Sequence, residues 1–348
     1  MPLLFSPLTI KTLRVKNRIV MPPMVTNYGL ETDRARAYYG ARARGGAGLV
    51  IVEATPTWRL KNPDLREGLR LLAETIHAGG AAAGLQLVEM GYLPKTQEMI
   101  APSDSGFARA ARVEEIEAAI AQFGVAAAKA REAGFDIVGV HGARGYFTSQ
   151  FFSPGANRRE DAYGGDLQRR MAFGLGVIGA MRAAVGPDFP LTFRFSALEY
   201  YAGGPTLRES AALARALEAA SVDLIDVCAG HMMERRLFSS PTRNMPMGTH
   251  AHLAAAVKRE VSVPVIAVGR INTPEVAERI LASGQADLVA IGRQLFCDAD
   301  WPRKVQEGRA DEIIACKSCN KGCAMNAGKG QPIYCITNPL AGREYEQA

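Results

Sequence analysis

Short runs of aliphatic and β-branched residues recur along the chain, and longer stretches with apolar residues at helical spacing lie between them. Runs of four to six residues that are continuously apolar are typical of strands buried on both faces of a sheet. The eight runs are Arg18–Met21, Gly48–Glu53, Ala83–Val88, Asp136–His141, Pro190–Phe195, Asp223–Val227, Pro264–Val268 and Asp287–Ile291. The clearest helical stretches are Val113–Ala133, Leu167–Val185, Leu207–Ala220 and Pro274–Ser283.

The alternation of buried strands with helices predicts an α/β protein whose parallel sheet is covered by helices. Eight such units, with no glycine-rich G-x-G-x-x-G dinucleotide motif, favour a closed (β/α)8 TIM barrel over an open, doubly wound sheet. We place the barrel in residues 1–312. From about residue 313 the pattern changes to a segment rich in Cys, Gly and Asn, so residues 313–348 are interpreted as a small C-terminal lobe.

Polar or large side chains follow several of the predicted strands. In a TIM barrel the ends of the strands carry the active site, so these residues are candidates for the chemistry. They are Met24, Tyr28, Glu53, Gln86, His141, Arg194, His231 and Arg270.

Four of the six cysteines fall in the segment CKSCNKGCAMNAGKGQPIYC, with the spacing C-x2-C-x3-C-x11-C. Four soft thiolates without histidine suit a [4Fe–4S] cluster or zinc. The unequal spacing favours iron and sulfur over the paired C-x2-C knuckles of many zinc sites, and free thiols are a third reading. The candidate ligands are Cys316, Cys319, Cys323 and Cys335; Cys228 and Cys297 stand alone.

Composition excludes several other classes. With 48% hydrophobic and 22% charged residues, the 348-residue chain is an ordinary globular protein, not a disordered or collagen-like one. No apolar run reaches the ~20 residues of a membrane helix, so a cytoplasmic protein without membrane partners is expected. The net charge of +6 is scattered along the chain, which argues against nucleic acid as a partner.

Several motifs in sequence order resemble the iron–sulfur branch of the old yellow enzyme family, which includes 2,4-dienoyl-CoA reductase, enoate reductases and trimethylamine dehydrogenase. The resemblance runs from Leu4 to about Arg343. The most specific pieces are LFSPLTIKTLRVKNRIVMPPM, HGARGYFTSQFFSPGANRREDAYGGDLQRRMAF, GRINTPEVAERILASGQADLVAIGRQLFCD and the cysteine run followed by ITNP. This resemblance implies an FMN-dependent oxidoreductase that also carries a [4Fe–4S] cluster.

The resemblance also implies where FMN lies. An arginine beside the pyrimidine edge stabilises the negative charge of a reduced flavin, and glycines followed by arginines at helix N-termini suit a phosphate. Near the ring system it implies Pro22, Pro23, Met24 and Ala54; at the pyrimidine edge Gln86 and Arg194; and around the phosphate Gly269, Arg270, Gly292 and Arg293.

On the substrate side, the family places two anchoring side chains after strand four, followed by Gly-Tyr. Here His141 and Tyr146 match, but Arg144 replaces the second anchor and would favour an anionic group. The resemblance implies Tyr146 as the proton donor, with His231 as its helper. Arg235, Arg236 and Arg243, in the loop after His231, could contact an anionic substrate tail, although solvated surface arginines are the commoner case.

Relatives in this branch usually continue into FAD- and NAD(P)-binding lobes after the cysteine segment, and this sequence does not. The expectation is therefore reduction of an activated C=C of enoate or enoyl-CoA type, with electrons from a separate ferredoxin or flavoprotein. Two alternatives stay open: an amine dehydrogenase or N-demethylase acting on a methylated amine, and a non-catalytic electron-transfer subunit. A homo-oligomer is compatible with the sequence.

Overall fold

The chain was analysed as a computed structural model that describes residues 2–231 and 239–347. In this part of the chain, eight parallel strands close into a barrel and follow one another around it in chain order. Each predicted apolar run forms one of these strands, with bounds that differ by a few residues at most. The barrel strands are β3 (Ile19–Met21), β4 (Leu49–Pro56), β5 (Ala82–Val88), β9 (Ile137–Gly142), β10 (Leu191–Ser196), β11 (Leu224–Cys228), β12 (Val265–Val268) and β13 (Leu288–Ala290).

Helices on the outside connect consecutive strands, which makes the fold the predicted (β/α)8 TIM barrel. Several begin at a side chain that caps the free N–H groups of the first turn, for example Thr32, Asn62 and Thr273. The helices are α1 (Asp33–Arg44), α2 (Pro63–Ala78), α3 (Val113–Glu132), α4 (Phe147–Phe152), α5 (Leu167–Val185), α6 (Leu207–Ala219), α7 (Ala251–Lys258), α8 (Pro274–Ala282), α9 (Arg293–Cys297), α10 (Trp301–Gln306) and α11 (Ala324–Ala327).

Two small sheets outside the barrel were not predicted. The hairpin of β1 (Leu8–Ile10) and β2 (Leu13–Val15) packs against the end of the barrel where the strands begin. Its Ile10 and Val15 contact apolar residues of the barrel strands there. A three-stranded sheet of β6 (Tyr92–Leu93), β7 (Glu98–Ala101) and β8 (Arg109–Ala110) interrupts the connection from β5 to α3. In the described residues no helix is long and apolar enough to cross a membrane.

The segment after residue 312 is held to the first strand–helix unit by several hydrogen bonds. The N–H of Ile333 donates to the Thr26 carbonyl at 3.0 Å, and the Tyr28 hydroxyl donates to the Ile333 carbonyl at 2.6 Å. Arg42, fully buried in α1, forms an ion pair with Glu344 at 2.5 Å. The segment therefore covers the side of the barrel where β3 ends.

Candidate functional site

A cavity of about 420 Å³ opens at the rim formed by the carboxyl ends of the strands. Loops after six strands contribute to it, and so does the cysteine segment. Its size is in the range of sites for cofactors and small molecules. All ten residues that the sequence implied for FMN line this cavity: Pro22, Pro23, Met24, Ala54, Gln86, Arg194, Gly269, Arg270, Gly292 and Arg293.

Three charged or polar side chains form a row across adjacent strands near the bottom of the cavity. Arg194 on β10 is in register with His141 on β9 and with Asp226 on β11. The Arg194 guanidinium donates to Asp226 Oδ2 at 2.9 Å, and both side chains are buried. Burial, together with the charges of Arg194 and Arg144, holds the pKa of His141 well below its ordinary value, so His141 is neutral at physiological pH.

The far end of the cavity is formed by the turns after β12 and β13. Gly292 packs so closely on the first loop that an added Cβ would lie 3.1 Å from Met24 Sδ and 3.2 Å from Pro22 Cγ. Arg293 donates to Asn320 Oδ1 at 2.6 Å, and Arg270 donates to the carbonyl of Met245. These contacts fix two guanidinium groups at one end of the cavity.

Of the four catalytic candidates, His141, Tyr146 and Arg144 line the cavity. The rings of His141 and Tyr146 are in contact, with centroids 4.7 Å apart. Arg144 adopts a left-handed backbone conformation (φ 63°) and donates to the Ser239 carbonyl at 2.9 Å. Burial and the neighbouring Arg194 lower the pKa of Arg144, which means that an anion beside it would relieve an unfavourable concentration of positive charge.

His231 lies behind this group, outside the described lining of the cavity. Its backbone forms a parallel bridge with Arg144, and its imidazole packs against Gly145 so tightly that an added Cβ would overlap the ring. The ring also packs on Tyr201, with centroids 4.8 Å apart. The structure therefore brings His231 next to the Arg144–Tyr146 turn, but not into the cavity itself. Arg235 and Arg236 lie outside the described residues.

The charged side chains that line the cavity are arginines, one of which, Arg194, is paired with Asp226 behind it. Of the described residues that line it, four are arginines and none is Asp or Glu. Among those residues Arg144 Nε and Arg270 Nε are buried without a hydrogen-bond partner. A buried donor without a partner costs free energy, so these atoms indicate that the cavity holds a group that accepts hydrogen bonds.

A link between the cavity and the cysteine segment was not visible in the sequence. The carbonyl of Ser239 accepts from Arg144, and the next carbonyl, Ser240, accepts from Asn320 Nδ2 at 2.7 Å. The Oδ1 of Asn320 also accepts a hydrogen bond from Arg293. Polar residues in a loop give no sign of such long-range contacts, because their partners are set by the folded chain.

Burial raises the pKa of the Cys316 and Cys323 thiols, Cys319 adds to this effect in both, and the nearby charge of Arg293 opposes it. Cys335 also adds to the raised pKa of Cys316. All six cysteines are free of disulfides.

The described residues contain no group of three His, Cys, Asp or Glu side chains arranged around a single metal ion. Around one zinc ion the sulfurs would lie about 3.8 Å apart, because four Zn–S bonds of about 2.3 Å point to the corners of a tetrahedron. The Cys316 and Cys335 sulfurs accept backbone N–H groups, from Ser318 and Thr337 respectively, both at 3.4 Å. Four thiolates are a donor set that an iron–sulfur cluster accepts, and the cluster itself stays a prediction from the sequence.

The cavity in turn fits FMN. It joins a neutral ring-sized region beside Pro22 and Met24 to a buried arginine, Arg194, and to the positive end formed by Arg270 and Arg293. FMN needs these three kinds of contact: apolar contacts for the ring, a cation at the pyrimidine edge and hydrogen-bond donors for the phosphate.

Comparison with known proteins supports this interpretation. Residues 3–312 match the model of the NADH:flavin oxidoreductase / NADH oxidase family. An NADH oxidase of Thermoanaerobacter brockii is 41% identical, over 99% of this chain and 57% of that protein. The chain thus spans somewhat more than half the length of this relative.

Solved structures of related enzymes share the fold of this chain. A 2-naphthoyl-CoA reductase in complex with 2-naphthoyl-CoA matches with a TM-score of 0.93 and 29% identity, over 99% of this chain and 58% of that one. A 6-hydroxypseudooxynicotine amine oxidase from Pseudomonas geniculata N1 matches with a TM-score of 0.92 and 26% identity, over 98% of this chain and 54% of that one. With the family model covering most of its length and the barrel and cavity arranged as described, this chain belongs to the NADH:flavin oxidoreductase / NADH oxidase family.

Proposed function

We propose that the chain is an FMN- and [4Fe–4S]-dependent oxidoreductase that reduces an activated C=C bond in an enoate or enoyl thioester. The observation that carries this proposal is the positive cavity, in which His141, Tyr146 and Arg144 face the space beside the predicted flavin site. FMN bound in this cavity would supply the hydride, and a cluster on the four cysteines would supply electrons singly.

Gln86 and Arg194 are proposed to hold the pyrimidine edge of the flavin, and Gly269, Arg270, Gly292 and Arg293 its phosphate. Asp226 accepts from Arg194 and keeps the guanidinium oriented. Asp226 offsets part of the charge of Arg194, but because Arg194 is buried, a hydrogen bond from its guanidinium to an anionic flavin is stronger than it would be in water.

Tyr146 is proposed to donate the proton to the carbon that does not receive hydride. The phenol lies on the cavity wall in contact with the His141 ring, which can accept or donate a hydrogen bond as the phenol changes charge. The phenolate is then reprotonated from solvent. His231, behind Gly145, is proposed to support the turn that carries Tyr146.

Arg144 is proposed to bind the activating group of the substrate. Its Nε is buried without a partner in the described structure, and a carboxylate or thioester oxygen could accept from it. The two net chemical inputs are a hydride and a proton, so one C=C bond becomes a C–C bond with two new C–H bonds.

A separate electron-transfer protein, such as a ferredoxin or a flavoprotein subunit, is the proposed electron donor. Tyr334 and Ile336, on either side of Cys335, are both about half exposed. An exposed pair of large apolar side chains next to a candidate cluster ligand is a suitable contact for such a protein. Rapid reduction of the flavin by NADH alone would contradict this part of the proposal.

The amine dehydrogenase reading is favoured by the amine oxidase match but not by the cavity. Binding a methylated ammonium group requires a carboxylate or a set of aromatic faces. The described lining has Tyr146 as its phenol, no Phe or Trp, and no acidic side chain. Arg194 is offset by Asp226, but the charges of Arg144, Arg270 and Arg293 would repel a cationic substrate.

The test is an anaerobic titration of the purified protein followed by visible and EPR spectroscopy, with iron and sulfide assays. After stepwise reduction, reoxidation of the flavin by an enoate or enoyl-CoA supports the proposal. Bleaching of the oxidised protein by methylated amines would instead establish a dehydrogenase. A bound flavin that neither class of substrate oxidises or reduces would indicate an electron-transfer subunit.

A further inference from the structure

Residues 239–245, in the connection from β11 to α7, supply main-chain acceptors to arginines of the cavity. The Ser239 carbonyl accepts from Arg144 at 2.9 Å, and the Met245 carbonyl accepts from Arg270 at the proposed phosphate end. A carbonyl that accepts from a guanidinium fixes its direction, because the donors of this group lie in one rigid plane. One loop therefore orients arginines at both ends of the cavity through its backbone.

A third arginine of the cavity, Arg293, reaches the same loop through Asn320. Arg293 Nη1 donates to Asn320 Oδ1 at 2.6 Å, and Asn320 Nδ2 donates to the Ser240 carbonyl at 2.7 Å. Asn320 has a left-handed backbone (φ 61°), which asparagine adopts more readily than most residues with a side chain. Asn320 lies outside the described lining of the cavity, so its amide acts on the cavity through these two partners.

We propose that Asn320 is a positioning residue that orients the arginines at both anion-binding ends of the cavity. It orients Arg293, the proposed contact of the FMN phosphate, directly. Through Ser240 and the adjoining carbonyl of Ser239 it orients Arg144, the proposed anchor of the substrate. This inference rests on the proposed function, from which it takes the two groups that these arginines bind.

The two contacts require an amide side chain. Asn320 accepts with its oxygen and donates with its nitrogen, whereas a carboxylate only accepts. Successive peptide planes share one Cα atom, so a displaced Ser240 carbonyl also moves the Ser239 carbonyl. Arg144 Nε is buried without a hydrogen-bond partner among the described residues, so the guanidinium depends on the Ser239 carbonyl for its orientation. Loss of the Asn320 amide should therefore reach Arg144.

The experiment measures how tightly the full chain and its Asn320 variants bind two pairs of ligands. FMN and riboflavin differ in the phosphate, and hexanoate and hexanamide differ in the charge of the carboxylate. The last two are saturated and cannot accept a hydride. Flavin binding is followed by fluorescence on the flavin-free protein, and binding of hexanoate and hexanamide by calorimetry on the FMN-loaded protein.

Two variants separate the contacts of Asn320. Asn320→Gly removes both, and glycine adopts the left-handed backbone without strain. We expect it to raise the Kd of FMN and that of hexanoate by about 5- to 10-fold each, the size of one hydrogen bond, and to leave riboflavin and hexanamide unchanged. Asn320→Asp keeps the acceptor for Arg293 but has no donor for Ser240, so it should raise the Kd of hexanoate similarly.

Asn326→Gly and Asn326→Asp are the matched controls. They make the same changes in the same segment, at a residue whose Nδ2 donates to the Pro332 carbonyl at 3.1 Å and which lies outside the described lining of the cavity. All four Kd values should stay those of the wild type.

The outcomes separate this inference from the proposed function. A wild-type chain that does not bind FMN, or that binds hexanoate no more tightly than hexanamide, would overturn both. Wild-type Kd values in Asn320→Gly would overturn the inference alone. Equal losses for all four ligands would also overturn it, because they would show that Asn320 supports the fold rather than the arginines. If Asn320→Gly does not fold, Asn320→Asp decides, and wild-type affinity for hexanoate in that variant contradicts the inference.

Discussion

Arg194 and Asp226 form a buried ion pair across neighbouring strands of the barrel, with Nη1 and Oδ2 2.9 Å apart. Both side chains are less than a tenth exposed. Two buried charges in contact offset each other's desolvation, and removing one leaves the other uncompensated. The pair therefore controls how much positive charge the cavity presents to a flavin.

The first prediction concerns this balance. Asp226→Asn should shift the flavin midpoint potential to more positive values, because the charge of Arg194 is no longer neutralised beside the pyrimidine edge. It should also lower the free energy of unfolding by about 3 kcal/mol. Spectroelectrochemistry and denaturant titration measure the two effects.

Asp223→Asn is the matched control. Asp223 lies just before the same strand and pairs with Arg182 at 2.6 Å and Lys11 at 3.0 Å, at the opposite end of the barrel. It should affect stability but not the flavin potential. An unchanged potential in Asp226→Asn would contradict the proposed place of the pyrimidine edge.

Removing the phenol of Tyr146 tests the proton donor. Tyr146→Phe should lower kcat for alkene reduction by about 10²- to 10⁴-fold, because general acid catalysis contributes roughly that much. FMN content should not change. Steady-state assays with solvent isotope effects on both proteins provide the measurement. Tyr163→Phe, which alters a ring packed on Phe151 at 6.2 Å, is the control, and equal losses in both variants would count against a catalytic phenol.

Arg144 should determine the preference for an anionic substrate. Arg144→Met is expected to raise KM for a free enoate by about 10- to 100-fold, since a hydrogen bond to a charged group contributes roughly 1.5–3 kcal/mol. KM for an uncharged enone should rise less, because a neutral carbonyl accepts a weaker hydrogen bond than a carboxylate does. The ratio of the two KM values is the informative quantity, with the exposed Arg208→Met as the control. Equal changes for both substrates would assign Arg144 to structure rather than recognition.

The buried carboxyl of Glu53 should make stability depend on pH. It accepts the Thr26 N–H, and burial raises its pKa to about 7, from an ordinary value of 4.5. Between these values the folded state retains a proton that the unfolded state releases, so the stability contributed by this group is complete below about pH 4.5 and is lost as the pH rises to about 7. The contribution is roughly 3 kcal/mol.

Glu53→Gln removes this titration while keeping an acceptor for the Thr26 N–H. Thermal unfolding from pH 4.5 to 8 should therefore show a smaller decline in the variant than in the wild type. Glu117→Gln, which removes an exposed carboxylate from α3, is the control for general charge effects. Parallel curves for wild type and Glu53→Gln would refute the assignment.

The barrel could be predicted because its strands are buried on both faces, which leaves a continuous apolar signal such as that of Leu224–Cys228. Position along the strands pointed to part of the cavity lining, since Gln86 and Arg194 lie in the carboxyl-terminal halves of β5 and β10 and Arg270 follows β12. The small sheet of β6 to β8 was not predicted, because its strands of two to four residues are too short to show a period.

Contacts between distant segments could not be predicted. Cys297 stands at the end of an apolar stretch like any core residue, and its proximity to Cys335 depends on how α9 and the cysteine segment pack. The link from Arg144 through Ser239 and Ser240 to Asn320 has the same origin. The assignment of roles to the cavity residues, the cluster and the boundary at residue 312 stays a prediction from sequence.

The attachment of the last residues to the start of the barrel limits how the chain can be divided. The Tyr28 hydroxyl donates to the Ile333 carbonyl, and Asn27 Nδ2 donates to the Gln331 carbonyl at 2.9 Å. Glu344 supplies the counter-charge of the buried Arg42. Cutting the chain before Glu344 would leave a buried guanidinium without its carboxylate. The cysteine segment is therefore not a transplantable module: to graft it onto another barrel, one would have to carry over the first loop and α1 as its receptor.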